Sequence, residues 1–368
     1  MAQQTALIYN NFFETRGGGE RSSLDLALAL EALGFDVALA SAQTCSVSVQ
    51  ELNQSFGISE EHQWPLYEFS SETELEEFIA GERFDVFVNH TSCSFMPNRA
   101  SCGIYMAMFP LVSPPAAKTA LRTYDAIACN SPFTKNYVLR RWGRDLNVVV
   151  IPPPVSKVHQ AKKPEFEQKE ALILNVGRFN VFGHNKCQLE AVRTFSQFVE
   201  DGVVDPSWKL LVAGHVNESP ETNDYVQQCR DAAGAAANIE IRTNISLGEL
   251  CLCYQRASVV WQFTGIGLLF GEKPGNCEHL GLAALDGFAY GAIPVVYHRG
   301  GMTYFIKHGF NGYCFGSAEE LAQITRLLAH SFGTEFHRKL FDYTCESVQY
   351  FTFDVFKSKI AKVLEHAS

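Results

Sequence analysis

The chain has 368 residues, 46% of them hydrophobic and 12% aromatic, and a formal net charge of −10. That length fits two ordinary domains, and the apolar content suffices for a core in each, which excludes wholesale disorder. Thirty Lys and Arg against forty Asp and Glu exclude a nucleic-acid polymer as the main partner, because a phosphate backbone needs a basic footprint.

The first residues show no basic segment followed by a long apolar run, so no secretory leader is expected. Apolar runs at 6–10, 35–40, 85–89, 103–108, 126–129 and 148–151 read as buried strands. After the first strand comes Gly17-Gly18-Gly19, read as a loop. A helical pattern over 20–33 follows, and Gly34 stops it. Strands alternating with helices imply a mostly parallel sheet covered on both faces. Pro152-Pro153-Pro154 breaks the pattern, since proline lacks an amide donor and restricts the residue before it. Residues 156–170 are polar and without periodicity.

The alternation then restarts. Strands are expected at 172–176, 209–213, 239–242, 258–263, 293–297 and 312–315, with helices over 188–199, 224–236, 247–254 and 281–290. The expected fold class is α/β, two Rossmann-like doubly wound domains facing across a cleft. The expected divisions are an N-terminal domain over 1–154, a linker over 155–170 and a C-terminal domain over 171–345. A last helix over 346–368 has the N-terminal domain as its candidate packing surface. The apolar stretch 257–271 contains Gln262 and Thr264 and is shorter than the roughly 20 residues a bilayer takes. Eleven cysteines without paired zinc spacing read as free thiols in a reducing compartment. The expectation is a soluble cytoplasmic protein with no bound metal.

Three features carry chemistry. Gly18 and Gly19, between a strand and a helix, can offer backbone amides to an anion. Arg178 follows Gly177 at a strand end and Lys186 lies eight residues on. A rigid guanidinium fork and a point charge together suit a diphosphate. Glu278 and Asp286, also eight apart, are expected on nearly one helix face with Gly281 between them. A carboxylate can accept two hydroxyls of a ribose or hexose. Each feature alone has a plain alternative: a flexible loop, two solvated cations, a helix cap beside a solvated acid. No G-x-G-x-x-G follows the first strand, which argues against a nicotinamide dehydrogenase.

Taken in order, Gly177-Arg178-Phe179, His184-Asn185-Lys186, Glu278-His-Leu-Gly281-Leu282 through Asp286 to Gly291-Ala-Ile-Pro294, Gly300-Gly301 and Asn311-Gly312 resemble the C-terminal half of retaining GT-B glycosyltransferases of family four. Gly17-Gly-Gly-Glu-Arg21, the segment from Ala128 to Lys135 and Ile151-Pro-Pro-Pro154 are similar to its N-terminal half. The resemblance implies a nucleoside-diphosphate sugar as donor, and a glycan, lipid-linked or small-molecule hydroxyl as acceptor. No cofactor and no metal are implied. By position, Arg178 and Lys186 would clamp the diphosphate and Glu278 would touch the sugar. Asp286 would touch the ribose, the Gly281–Leu282 amides a phosphate, and Gly18–Gly19 the phosphates from the other domain.

Two positions depart from the family pattern: Asp286 stands where Glu is usual, and Met108 where a histidine is frequent. His90, ending the preceding strand, is either a substitute on the acceptor or sugar side or a structural histidine. The cluster Arg140-Arg141-Trp142-Gly143-Arg144 reads either as a peripheral membrane contact or as a solvated helix end with an anchoring Trp. The alternatives to a transferase are a sugar-nucleotide epimerase or phosphorylase on the same fold, and a non-catalytic nucleotide-sugar-binding protein.

Overall fold

The computed structural model describes residues 3–156, 159, 164–181, 184–217, 219–268 and 273–367. The chain forms two compact units, Met1–Val158 with Phe351–Ser368, and His159–Tyr350. In the first unit the elements run β1 (Thr5–Tyr9), α1 (Gly18–Ala32), β2 (Asp36–Ser41), α2 (Val49–Phe56), β3 (Leu66–Glu68), α3 (Glu72–Glu82), β4 (Val86–Asn89), β5 (Cys102–Ala107), α4 (Ala117–Leu121), β6 (Ala126–Cys129), α5 (Pro132–Arg141) and β7 (Val148–Val150). In the second they run β8 (Glu170–Val176), α6 (Gln188–Glu200), β9 (Lys209–Gly214), α7 (Pro220–Ala233), β10 (Ile239–Thr243), α8 (Leu247–Arg256), β11 (Ala257–Gln262), α9 (Leu282–Ala289), β12 (Ile293–Tyr297), β13 (Tyr313–Phe315), α10 (Ala318–His330) and α11 (Glu335–Glu346). The last helix, α12 (Phe353–Ala367), belongs to the first unit.

The first sheet has seven strands in the order β3-β2-β1-β4-β5-β6-β7, the second six in the order β10-β9-β8-β11-β12-β13. All named pairings are parallel. Successive residues of a strand point to opposite faces, and β1 shows it. Ile8 joins a core with Leu24 and Leu30 of α1 and Phe356 and Ile360 of α12. Leu7 joins the opposite core with Leu75, Ile79 and Trp142. In the second unit Ile173, Phe195 and Trp261 lie in one core. Strand order reverses between β1 and β4 in one sheet and between β8 and β11 in the other, the positions where doubly wound sheets take ligands at strand carboxyl ends.

Several expectations change. The glycine run is not a loop: Gly18 and Gly19 open α1, with Gly17 as its N-cap. Glycines are tolerated there because the first helical amides need no intrahelical acceptor, and the Glu20 carboxylate accepts from the Gly17 amide at 2.6 Å. The helix expected over 281–290 begins at Leu282. Part of the segment expected as a linker is ordered into the second unit. Lys169 is buried there and its Nζ donates to the carbonyls of Tyr254 at 3.1 Å and Ala257 at 2.7 Å, satisfying carbonyls at the end of α8. Burial pushes that ammonium down to about 7.

Candidate functional site

The second unit builds its site from the ends of β8 and β11. Gly177 follows β8, and a Cβ there would meet Lys186 Cγ at 2.6 Å, so a hydrogen side chain lets the lysine stem pass. Gln188 Nε2 donates to the carbonyls of Gly177 at 2.9 Å and Arg178 at 3.1 Å. This fixes the turn and leaves the Arg178 residue exposed. Lys186 Nζ lies 2.6 Å from Glu278 Oε2.

Glu278 sits outside α9, in an extended segment bridged to Gly300. The backbone explains the paired glycines. The Gly301 amide donates to the Glu278 carbonyl at 2.6 Å, while Gly300, at φ +113°, has a position where any Cβ would run into that same carbonyl. Gln262 Nε2, ending β11, donates to Glu278 Oε2 at 2.7 Å, and Thr264 Oγ1 lies 3.4 Å away. Burial by itself would raise the Glu278 carboxyl. Lys186, through its charge and its hydrogen bond, together with His184 and His279, outweighs burial and holds the group at about 2.

Two histidines complete this cluster. His184 stacks on His279 with ring centres 4.6 Å apart and an 11° angle, and His184 Nε2 lies 3.6 Å from Glu278 Oε1. Burial, reinforced by Lys186, pushes His184 down to about 4; burial and His184 push His279 down to about 3. Both rings are neutral at pH 7. Gln262, Thr264, His184 and His279 were missed as site residues. The signal was present for the first two: polar residues interrupting the most apolar stretch of the chain, at a buried strand end.

Asp286 is not beside Glu278, because α9 starts only after Gly281, which caps it at φ +90° with Met302 filling the space a Cβ would need. The reason is geometric: eight residues share a face only if all of them are helical. Asp286 is buried on α9, and its Oδ2 lies 3.5 Å from His159 Nε2. His159 Nδ1 is 3.1 Å from the Tyr290 hydroxyl and 3.6 Å from Cys251 Sγ.

In the first unit, His90 follows β4 and is buried. Ser23 Oγ of α1 lies 2.6 Å from His90 Nδ1 and Met108 Sδ lies 3.3 Å from Nε2. A Cβ on Gly19 would lie 4.0 Å from Met108 Cε. His90, Met108 and the α1 N-terminus therefore come together. Burial pushes His90 down to about 4. In the basic cluster Trp142 is buried. Its indole donates to the Val112 carbonyl at 2.9 Å, and Arg141 donates to that of Pro110 at 3.0 Å. That tryptophan is part of the core and does not face a lipid surface.

Among the described residues no cluster of His, Cys, Asp and Glu could hold a metal ion, and no helix is long and apolar enough to cross a membrane. Two doubly wound domains with these strand-end sites define the GT-B class of glycosyltransferase folds. Residues 157–340 match the model for glycosyl transferases group 1, and residues 16–157 that for glycosyltransferase family 4. The chain belongs to the group 1 glycosyltransferases.

Solved structures share the fold over the full length. A glycosyltransferase from Rickettsia africae is 16% identical, with a TM-score of 0.76 over 100% of this chain and 99% of that one. Anabaena HepE in complex with UDP is 14% identical, with a TM-score of 0.71 over 98% and 100%. Sucrose-phosphate synthase from Thermosynechococcus elongatus is 16% identical, with a TM-score of 0.71 over 98% and 98%. Among curated proteins, none matches the chain.

Proposed function

We propose that this protein transfers one sugar from a nucleoside-diphosphate sugar to a hydroxyl acceptor with retention of configuration, and without a metal or cofactor. The observation that carries the reading is the Lys186–Glu278 pair, 2.6 Å apart with its carboxylate buried, in the unit where the exposed Arg178 follows β8. As the glycosidic bond breaks, negative charge accumulates on the leaving diphosphate. Arg178, Lys186 and the amides of Gly281 and Leu282 stabilise it where it develops. Gly18 and Gly19, opening α1, offer a second set of amides. Glu278, held ionised and oriented by Lys186 and Gln262, accepts sugar hydroxyls and supplies orientation rather than proton transfer. Asp286 contacts the ribose, and His90 and Met108 line the acceptor or sugar side. Same-face attack assisted by the leaving phosphate accounts for retention.

The co-complexes of Anabaena HepE with UDP and with UDP-glucose make uridine nucleotides the first donors to try. The acceptor is a glycan, a lipid-linked saccharide or a small molecule. For a lipid-linked acceptor, Arg140 and Arg144, both exposed, and the exposed Leu111 and Val112 are the surface that meets an anionic bilayer. Pelleting with anionic vesicles that is lost at high salt tests that point. For the donor site, a thermal-shift panel of nucleoside diphosphates and nucleotide sugars is expected to raise the melting temperature for one base. Arg178→Ala is expected to lower turnover on the order of 10²-fold. Wild-type turnover in that variant would overturn the assignment.

A further inference from the structure

The two oxygens of Glu278 are in unequal surroundings. Oε2 faces Lys186 Nζ at 2.6 Å, Gln262 Nε2 at 2.7 Å and Thr264 Oγ1 at 3.4 Å. Among the described residues Oε1 has no donor, and its neighbour is His184 Nε2 at 3.6 Å. That nitrogen is shielded from solvent and has no hydrogen-bond partner among the described residues. His184 also bonds the Cys277 backbone. Since Nε2 is unpartnered, the contact belongs to Nδ1, whose proton goes to the carbonyl, so the lone pair is on Nε2. A buried acceptor left unpaired forfeits its hydration with nothing in return. The backbone of His184 is itself unusual, at φ +47°, a left-handed conformation that non-glycine residues seldom adopt. The ring is nonetheless fixed, stacked on His279, whose Nε2 is 3.1 Å from the Gly275 carbonyl. Two acceptor atoms thus lie 3.6 Å apart, with no donor to either among the described residues.

We infer that His184 is a specificity-determining residue, which accepts a hydrogen bond from one sugar hydroxyl while Glu278 Oε1 accepts from its neighbour, so that the site takes a transferred sugar with two adjacent free hydroxyls. The inference rests on the reading above that Glu278 contacts the sugar. A hydroxyl satisfies such an acceptor, whereas a deoxy, O-methyl or acetamido position leaves a buried lone pair bare or blocks it. His184 acts on the sugar alone, so its loss leaves the affinity for the free nucleotide intact.

UDP-glucose, UDP-galactose and GDP-mannose are titrated into the wild-type chain by calorimetry. The tightest binder is taken forward with its 2-, 3-, 4- and 6-deoxy forms. His184→Ala, and His184→Phe, which keeps a ring on His279 but no acceptor, are each expected to lower kcat/KM for the parent donor about ten- to hundredfold. Both are expected to leave the Kd of the matching nucleoside diphosphate within twofold. One deoxy donor should be turned over equally by wild type and both variants, because the hydroxyl it lacks is the one His184 accepts. An equal loss on every donor, a parallel loss of nucleoside-diphosphate affinity, or wild-type selectivity in His184→Phe overturns the assignment. Glu278→Gln separates the two levels. If it loses selectivity at a hydroxyl while the His184 variants do not, only the role of His184 falls. If it changes nothing on any donor, or if no donor binds the wild type, the donor-site reading falls with it.

Discussion

His90 and His184 are both neutral imidazoles in loops at the ends of strands, and they are held in opposite ways. His90 is closed: Ser23 Oγ stands at one ring nitrogen and Met108 Sδ at the other. His184 is half open, bonded through the Cys277 backbone on one side and, among the described residues, unpartnered at Nε2 on the other, in a left-handed backbone. A satisfied buried polar group stabilises the fold, whereas an unsatisfied one on a strained backbone costs stability and points to a ligand. The lesson is that burial and lowered basicity do not separate the two roles. The count of satisfied nitrogens does.

The largest effect that sharpens this contrast lies beside the open histidine. Lys186→Ala removes the partner of a buried carboxylate. It is expected to lower turnover on the order of 10²-fold and to cost about 3 kcal/mol of stability in denaturant titration. Lys186→Met combined with Glu278→Met should recover most of that stability and none of the turnover. Recovery of neither would place the Lys186–Glu278 pair among the structural supports, like His90.

Next in size is the closed histidine. His90→Ala deletes a buried ring and leaves the Ser23 hydroxyl, a partner of Asn10 Nδ2 at 2.9 Å, without its imidazole. It is expected to cost about 2 kcal/mol or more, against less than about 1 kcal/mol for His184→Ala. Equal losses would break the comparison.

The pH dependence follows from the same shift. His90 titrates near 4 in the fold against an ordinary 6.5, so between those values the unfolded chain binds the extra proton. Stability is therefore fully present above pH 6.5 and falls as pH drops towards 4, by on the order of 3 kcal/mol for this group. His184, His279 and His337, all lowered first by burial, add to the same limb. His90→Gln should flatten part of it, measured as melting temperature against pH. An unchanged limb would show that His90 is not the buried neutral group described.

The smallest effect is Met108→Leu. The swap nearly conserves volume but removes the sulfur acceptor from His90 Nε2, with an expected cost of about 1 kcal/mol. A stabilised variant would mean that the sulfur contact contributes nothing.

Much of the fold was legible because the alternation of apolar runs with helical periods is local. Strands such as β6 and β12 fall where their apolar runs fall. Short β3, with one half-buried and two exposed residues, carried no such run. The helix α2, set by the Ser48–Glu51 capping box, was equally unread. Of the site, the residue types at Arg178, Lys186, Glu278 and Asp286 could be named from spacing and resemblance, but their grouping could not. Lys186 was expected to clamp a diphosphate together with Arg178, and the fold sets its ammonium 2.6 Å from Glu278 Oε2. Asp286 was expected on the face of Glu278 and lies against His159.

By itself the sequence determined the α/β class and two doubly wound halves, because periodicity and motif order are properties of neighbouring residues. Tertiary structure alone decided which charges meet. Lys186 and Glu278 are 92 residues apart and are joined by β8 and β11 lying side by side in the sheet. His184, in its left-handed turn, stacks on His279, 95 positions further along the chain. Contacts across such separations depend on strand order and packing, and no local pattern encodes them.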